Sequence, residues 1–165
     1  MWAMLRKPKP RMVETDNPYN LTAEERHYVA SVFKLFTSPE GRHIGQENHP
    51  PAIRRGLVAL GLWQCAEQKM ATAEFYSRSP YREAFAKQAI VTIKKAYAIH
   101  QLPIYLFDLA CYLKAAENIS AARCIYRAFL QAQELYNPGE FDFMFLSDRD
   151  IGKAIHQAQE GLKNL

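Results

Sequence analysis

No stretch of the 165 residues approaches the roughly 18 consecutive apolar positions that a membrane-crossing helix needs. Met1 to Leu5 is also too short for the apolar core of a signal peptide, so no leader is expected. Cysteine is scarce. The three, Cys65, Cys111 and Cys124, form no C-x-x-C pair and sit inside apolar helical patterns, which excludes a disulfide framework and favours reduced thiols. A cytoplasmic location is therefore expected. The seven glycines are scattered, so there is neither a phosphate-cradling G-x-x-x-x-G-K-[ST] loop nor a G-x-S-x-G nucleophile elbow. The five histidines never form H-E-x-x-H, and His43 and His49 share only a loop. Neither a metal, a cofactor nor catalysis is expected, because a zinc site needs three or four ligands at defined spacing.

What is present is ordinary globular material. Hydrophobic residues make up 48% of the chain and charged ones 23%, enough for one domain with a real core. Residues 1–20 carry three prolines and no helical period, and read as an extended arm ahead of a domain over 21–165. Thr22 with Glu25 is a capping-box signature, and Tyr28, Val29, Val32, Phe33 and Phe36 follow at helical spacing. A polar loop over 38–50 leads to Pro50-Pro51 and an apolar stretch over 52–77, either one long helix or two with a kink. Ser79-Pro80 opens a helix over 80–100 that is apolar on most of its circumference and is therefore expected at the centre. Helices over 103–116 and 119–136 follow, joined by a turn at Glu117-Asn118. Phe141, Phe143 and Phe145 alternate, which reads as an extended segment over 140–146. Ser147 is expected to cap a last helix over 148–163. About six helices joined by short turns give an all-α fold.

Leu106, Leu109, Ala110, Leu113, Ala122 and Tyr126 stand at intervals that resemble a tetratricopeptide repeat, a helix–turn–helix unit of about 34 residues. Small residues let the two helices of such a hairpin approach, and the tyrosine fills the gap to the next unit. The match covers 103–136. It departs from the family at Tyr112, one residue before the position where the aromatic is wanted, and at Phe129, where a small residue is usual. A fainter copy sets Gly61 and Ala73 at the interval of Ala110 and Ala122, with Ser77 where the aromatic belongs. The resemblance implies a right-handed superhelical stack of antiparallel hairpins, with the last helix as a cap. It also implies a non-catalytic interaction or scaffold role, in which a peptide or protein partner lies in a groove between hairpins.

On that reading Lys87, Lys94, Lys95, Tyr105, Asp108 and Tyr112, on the two central helices, are the expected partner-binding residues. Convergence of Arg54, Arg55, Lys94, Lys95, Arg123 and Arg127 would select an acidic partner. The net charge of +4 also leaves a basic nucleic-acid-binding protein as an alternative, recognisable by steep salt dependence. Trp2, Met4 and Leu5 beside Arg6, Lys7, Lys9 and Arg11 leave open contact with a membrane surface through the arm, as the soluble part of a membrane-associated assembly.

Overall fold

The computed structural model describes residues 17–36, 49–76, 80–146 and 149–165. Most of the arm, the 38–48 loop, Ser79 and Ser147 lie outside them. The described residues contain seven helices and no strand: α1 (Ala23–Leu35), α2 (Pro51–Phe75), α3 (Pro80–Ile99), α4 (Pro103–Ala115), α5 (Ile119–Leu135), α6 (Phe143–Leu146) and α7 (Ile151–Asn164).

Helix ends follow local chemistry. The Thr22 hydroxyl accepts from the Glu25 amide at 3.2 Å while the Glu25 carboxylate accepts from the Thr22 amide at 2.8 Å, so the box forms. Just upstream, Asn17 clasps both backbone groups of Leu21, and Asn20 takes a left-handed φ of 54°, which asparagine tolerates. Pro51 and Pro103 occupy the first turns of α2 and α4, where a missing N–H is harmless. α4 ends with Glu117 at φ 62°, the Asn118 amide bonding to Leu113 O at 2.9 Å and the Glu117 amide to Lys114 O at 3.0 Å. That is a Schellman turn, and Asn118 then caps α5 through the Ala121 amide.

The helices alternate in direction. α1 lies antiparallel on α2, with Glu24 against Lys69 at one end and Phe33 against His49 at the other. Short connections then fold α3 back on α2 and α5 back on α4, while α3 packs on both α2 and α4. It buries Ala86, Ala89, Thr92, Ile93 and Ala96 between them, the central place its apolar circumference called for. α7 packs chiefly on α5 through the small residues Ala154 and Ala158. Tyr126 of α5 lies in contact distance of Gly161, where an added Cβ would stand 3.2 Å from its ring.

One alternative is settled and two expectations change. First, Pro51–Phe75 is one continuous helix, and its two glycines are places of close approach rather than kinks. A Cβ on Gly61 would sit 2.6 Å from the Val29 Cα, so this glycine lets the backbones of α1 and α2 meet. The small residue of the faint second copy thus serves packing against α1. A Cβ on Gly56 would sit 2.2 Å from the Phe145 ring, so this glycine is a socket for a side chain. Second, 140–146 is not extended. Turns over Glu140–Asp142 lead into the single helical turn α6, with Phe145 buried, Phe141 half-buried and Phe143 exposed. The period of two fails because only Phe145 finds a socket. Third, the last helix starts at Ile151 with Asp150 as its cap, the carboxylate accepting from the Lys153 amide at 2.9 Å.

Replacing Gly61 with alanine sets a Cβ against backbone that cannot move aside. Gly61→Ala is expected to lower unfolding free energy by about 1–3 kcal/mol, despite alanine's better helix propensity. Urea denaturation read by circular dichroism checks this; an unchanged or raised midpoint would contradict the close approach of α1 and α2.

Candidate partner groove

α2 and α4 run parallel and side by side. Trp63 reaches Asp108, and Glu67 one turn later reaches Tyr112; both pairs are 45 residues apart in the chain. This offset is longer than the 34-residue period of the resembled family, because α2 and α3 are 25 and 20 residues long. α7 rises beside α4 in the same direction, Ala154 near Ile104 and Leu165 near Lys114. α7 leans on α5 and meets α4 only sparsely, so a groove stays open between α4 and α7.

The groove has two compartments. The larger, about 740 Å³, presents Phe107, Cys111 and Tyr126 between rims that carry Lys114 and Gln157. The smaller, about 260 Å³, lies toward the start of α7 and is lined by Trp63, Glu67, Asp108, Arg149 and Lys153. Phe107 and Gln157 line both.

A polar knot closes the end of the smaller compartment. Asp108 Oδ2 accepts from Trp63 Nε1 at 2.8 Å and from Arg149 Nη1 at 3.0 Å. The Arg149 guanidinium stands 4.0 Å from the Trp63 ring centroid and 5.4 Å from that of Tyr105, a cation held between aromatic faces. The Tyr112 hydroxyl donates to Glu67. Burial pushes the Asp108 carboxyl up to about 6, helped by the neighbouring Glu67 and opposed by Arg149 and the Trp63 hydrogen bond. Burial likewise raises the Tyr105 and Tyr112 phenols.

Burial also raises the Cys111 thiol to about 11, against a hydrogen bond with the Tyr126 hydroxyl 3.7 Å away. At neutral pH it is a protonated, weakly polar wall rather than a nucleophile. Among the described residues no group of three or more histidine, cysteine or acidic side chains is placed to hold a metal ion. The groove's equipment is contact surface: aromatic faces, a thiol, and charged rims.

The six residues expected to bind a partner do not share one surface. Asp108 lines the smaller compartment, while Tyr105 and Tyr112 are buried, with 1% and 5% of their surfaces exposed. Lys87 and Lys95 line a separate hollow of about 470 Å³ between α1, α2 and α3, and Lys94 is exposed on α3. Glu25, Lys69 and Thr92, all buried, line that second hollow. Lys69 bonds Glu24 at 2.6 Å and Gln88 at 2.8 Å, and Lys95 bonds Glu25 at 2.8 Å. Lys95 is therefore a clamp on α1. Burial alone would raise Glu25, but hydrogen bonds from Lys95 and Thr22, with the Lys95 charge, hold the carboxyl below 4.5.

Trp63, Glu67, Phe107 and Arg149 belong to the groove and were not singled out from sequence. The signal for Trp63 and Glu67 is the 45-residue offset to Asp108 and Tyr112, which shows only once α2 and α4 stand side by side; Phe107 and Arg149 carry no such signal. The phenylalanine-rich segment reaches Gly56 and His100 instead of this groove, through Phe145. No helix among the described residues is long and apolar enough to cross a membrane. No protein-family model, curated protein or solved structure matches the chain.

The Lys95–Glu25 clamp gives a pH signature. Because the folded pKa of Glu25 is depressed, the clamp's stability is complete above about 4.5 and is lost as pH falls through the lowered value. Lys95→Met strands the Glu25 carboxylate and is expected to cost about 3 kcal/mol at pH 7. That deficit should shrink below pH 4.5, where the wild type also loses the pair. Chemical denaturation at several pH values checks it; a deficit independent of pH would refute the clamp.

Proposed function

We propose that this chain is a non-catalytic, tetratricopeptide-like interaction module that binds a segment of a peptide or protein partner in the groove between α4 and α7. The observation that carries this reading is the alternating array itself. Its three parallel helices α2, α4 and α7 contribute to one concave surface, and their antiparallel partners back them. Repeat modules of the resembled family use the same division, with the first helix of each hairpin lining the binding face. The Tyr126–Gly161 contact plays the gap-filling part that the resemblance assigns to the tyrosine. The longer offset is the main departure, and it sets the module apart as an irregular array.

A groove of this kind recognises a segment by seating one bulky apolar side chain in the larger compartment. Phe107 and Tyr126 offer faces for it, and the exposed rims of α4 and α7 meet its backbone and flanking charges. α7 presents exposed polar residues on its outer side, as befits a terminal unit.

Selection of displayed random peptides against the full chain tests this. Selected sequences are expected to share a bulky apolar anchor. The rim variant Lys114→Glu with Gln157→Arg should weaken them at least tenfold, about 1.4 kcal/mol, with the helical spectrum unchanged. Failure to select any peptide, or equal binding to the rim variant, would overturn the reading.

A further inference from the structure

We propose that the hollow between α1, α2 and α3 is a binding site for a small amphipathic carboxylate. The ligand is an aliphatic monocarboxylic acid whose head meets Lys69, Gln88 and Thr92 and whose tail lies along Val91 and Ala23. This hollow shares no lining residue with either compartment of the groove between α4 and α7, so the site is independent of the function proposed for that groove.

Polar burial is concentrated at this one place. Tyrosines and Cys65 apart, the buried polar residues among the described ones are Glu25, Lys69 and Thr92, and all three line the hollow. Such side chains are normally either kept out of an interior or fully paired. Pinning α1 accounts for the ion pairs Lys69–Glu24 and Lys95–Glu25. It does not account for Thr92. A helical threonine can return its hydroxyl to the carbonyl four residues back, as Thr72 does to Gln68 O at 2.9 Å. Thr92 is only 3% exposed, yet its hydroxyl makes no such bond and has no partner among the described residues. A buried hydroxyl left in that state is costly, and a ligand in the hollow would relieve it.

The unused capacity around Thr92 is mostly of one kind. A lysine ammonium carries three donors. Lys69 uses two, on Glu24 at 2.6 Å and on Gln88 Oε1 at 2.8 Å. Lys95 also uses two, on Glu25 at 2.8 Å and on Asn20 O at 3.3 Å. Gln88 meets Lys69 through its oxygen, so its amide nitrogen has no acceptor among the described residues. The Ala23 and Glu24 amides, in the first turn of α1, have no intrahelical acceptor either, and both residues line the hollow. On the other side of the balance, Glu25 Oε2 is sealed from solvent and Glu24 stands on the exposed rim. The hollow therefore calls for a ligand that brings acceptors. Its lining carries three lysines against two glutamates, which suits one negative charge. Lys87 also pairs with Glu83 at 3.0 Å, but both are exposed and such a pair is weak. The apolar part of the ligand has its own seat: Val91 of α3 is 54% exposed beside Ala23 of α1, in a space of about 470 Å³, the size of a small-molecule site.

Titration of the full chain with octanoate, followed by amide NMR, tests this. Octanoate is expected to bind with a Kd below about 1 mM, moving the amides of Glu24, Val91 and Thr92 and leaving those of Phe107 and Ala154 in place. Octylamine has the same tail with a cationic head, and acetate has the head without the tail; each should bind at least about tenfold more weakly. Thr92→Val keeps the shape and removes the hydroxyl, and should weaken octanoate about tenfold. Val91→Glu sets a carboxylate on the exposed rim, where the fold does not depend on it, and should weaken octanoate by about tenfold or more. No saturation up to about 10 mM, equal binding of octylamine or acetate, or shifts centred on Phe107 would overturn the site. So would unchanged octanoate affinity in either folded variant; Val91→Glu stands as the test if Thr92→Val fails to fold.

Discussion

One carboxylate oxygen joins three parts of this molecule. Asp108 Oδ2 on α4 receives the Trp63 indole of α2 and the Arg149 guanidinium that precedes α7. The first bond, with the Glu67–Tyr112 bond a turn away, sets α2 and α4 in parallel register. The second places the start of α7 beside them. Move that oxygen and the groove loses its geometry, because α7 is held elsewhere mainly by small residues against α5. The groove exists because the hairpins pack closely on their antiparallel sides while the parallel side is spanned by polar side chains.

The hollow between α1, α2 and α3 uses a different arrangement for a similar end. There Lys69 and Lys95 span from α2 and α3 to the acidic first turn of α1, under a short approach permitted by Gly61. Glu24 and Glu25 thereby serve twice, offsetting the α1 dipole and receiving the two lysines. Both faces of the domain place charged groups in partly dry surroundings, where each is tolerable only while its partner stays. Such pairs contribute less to net stability than to fixing which helix sits where.

The sequence made the helices plain and their mutual placement obscure. Capping at Thr22, prolines at Pro51 and Pro103, the turn at Glu117-Asn118 and the apolar circumference of α3 are local signals, and each appears where local chemistry puts it. The 140–146 segment misled because alternation of phenylalanines matters only when a surface meets every second residue, and one socket, at Gly56, meets just Phe145. The expected binding residues were chosen by position on the central helices, which says nothing about which side of α3 or α4 faces a neighbour. Tyr105 and Tyr112 went inward, and Lys95 went to Glu25. Arg149 could not be chosen at all: it precedes a helix, and its importance comes from Asp108, 41 residues earlier.

The seat of Phe145 reaches further than its size. Repeat arrays are quasi-one-dimensional: each unit touches only its neighbours, so units can be added or removed at an end and the rest persists. Here the link between α5 and α7 crosses back to the first hairpin, with Phe145 in the hollow at Gly56 and Asp142 on His100 at 2.8 Å. Arg149 then reaches Trp63 of the same hairpin. The last helix is thus tied to the beginning of the array as well as to its neighbour. A chain laced this way is a closed body and not a string of separable modules. It would lose its end helix on truncation at the opposite end, and heat or denaturant would meet one cooperative unit in place of a ladder of independent steps.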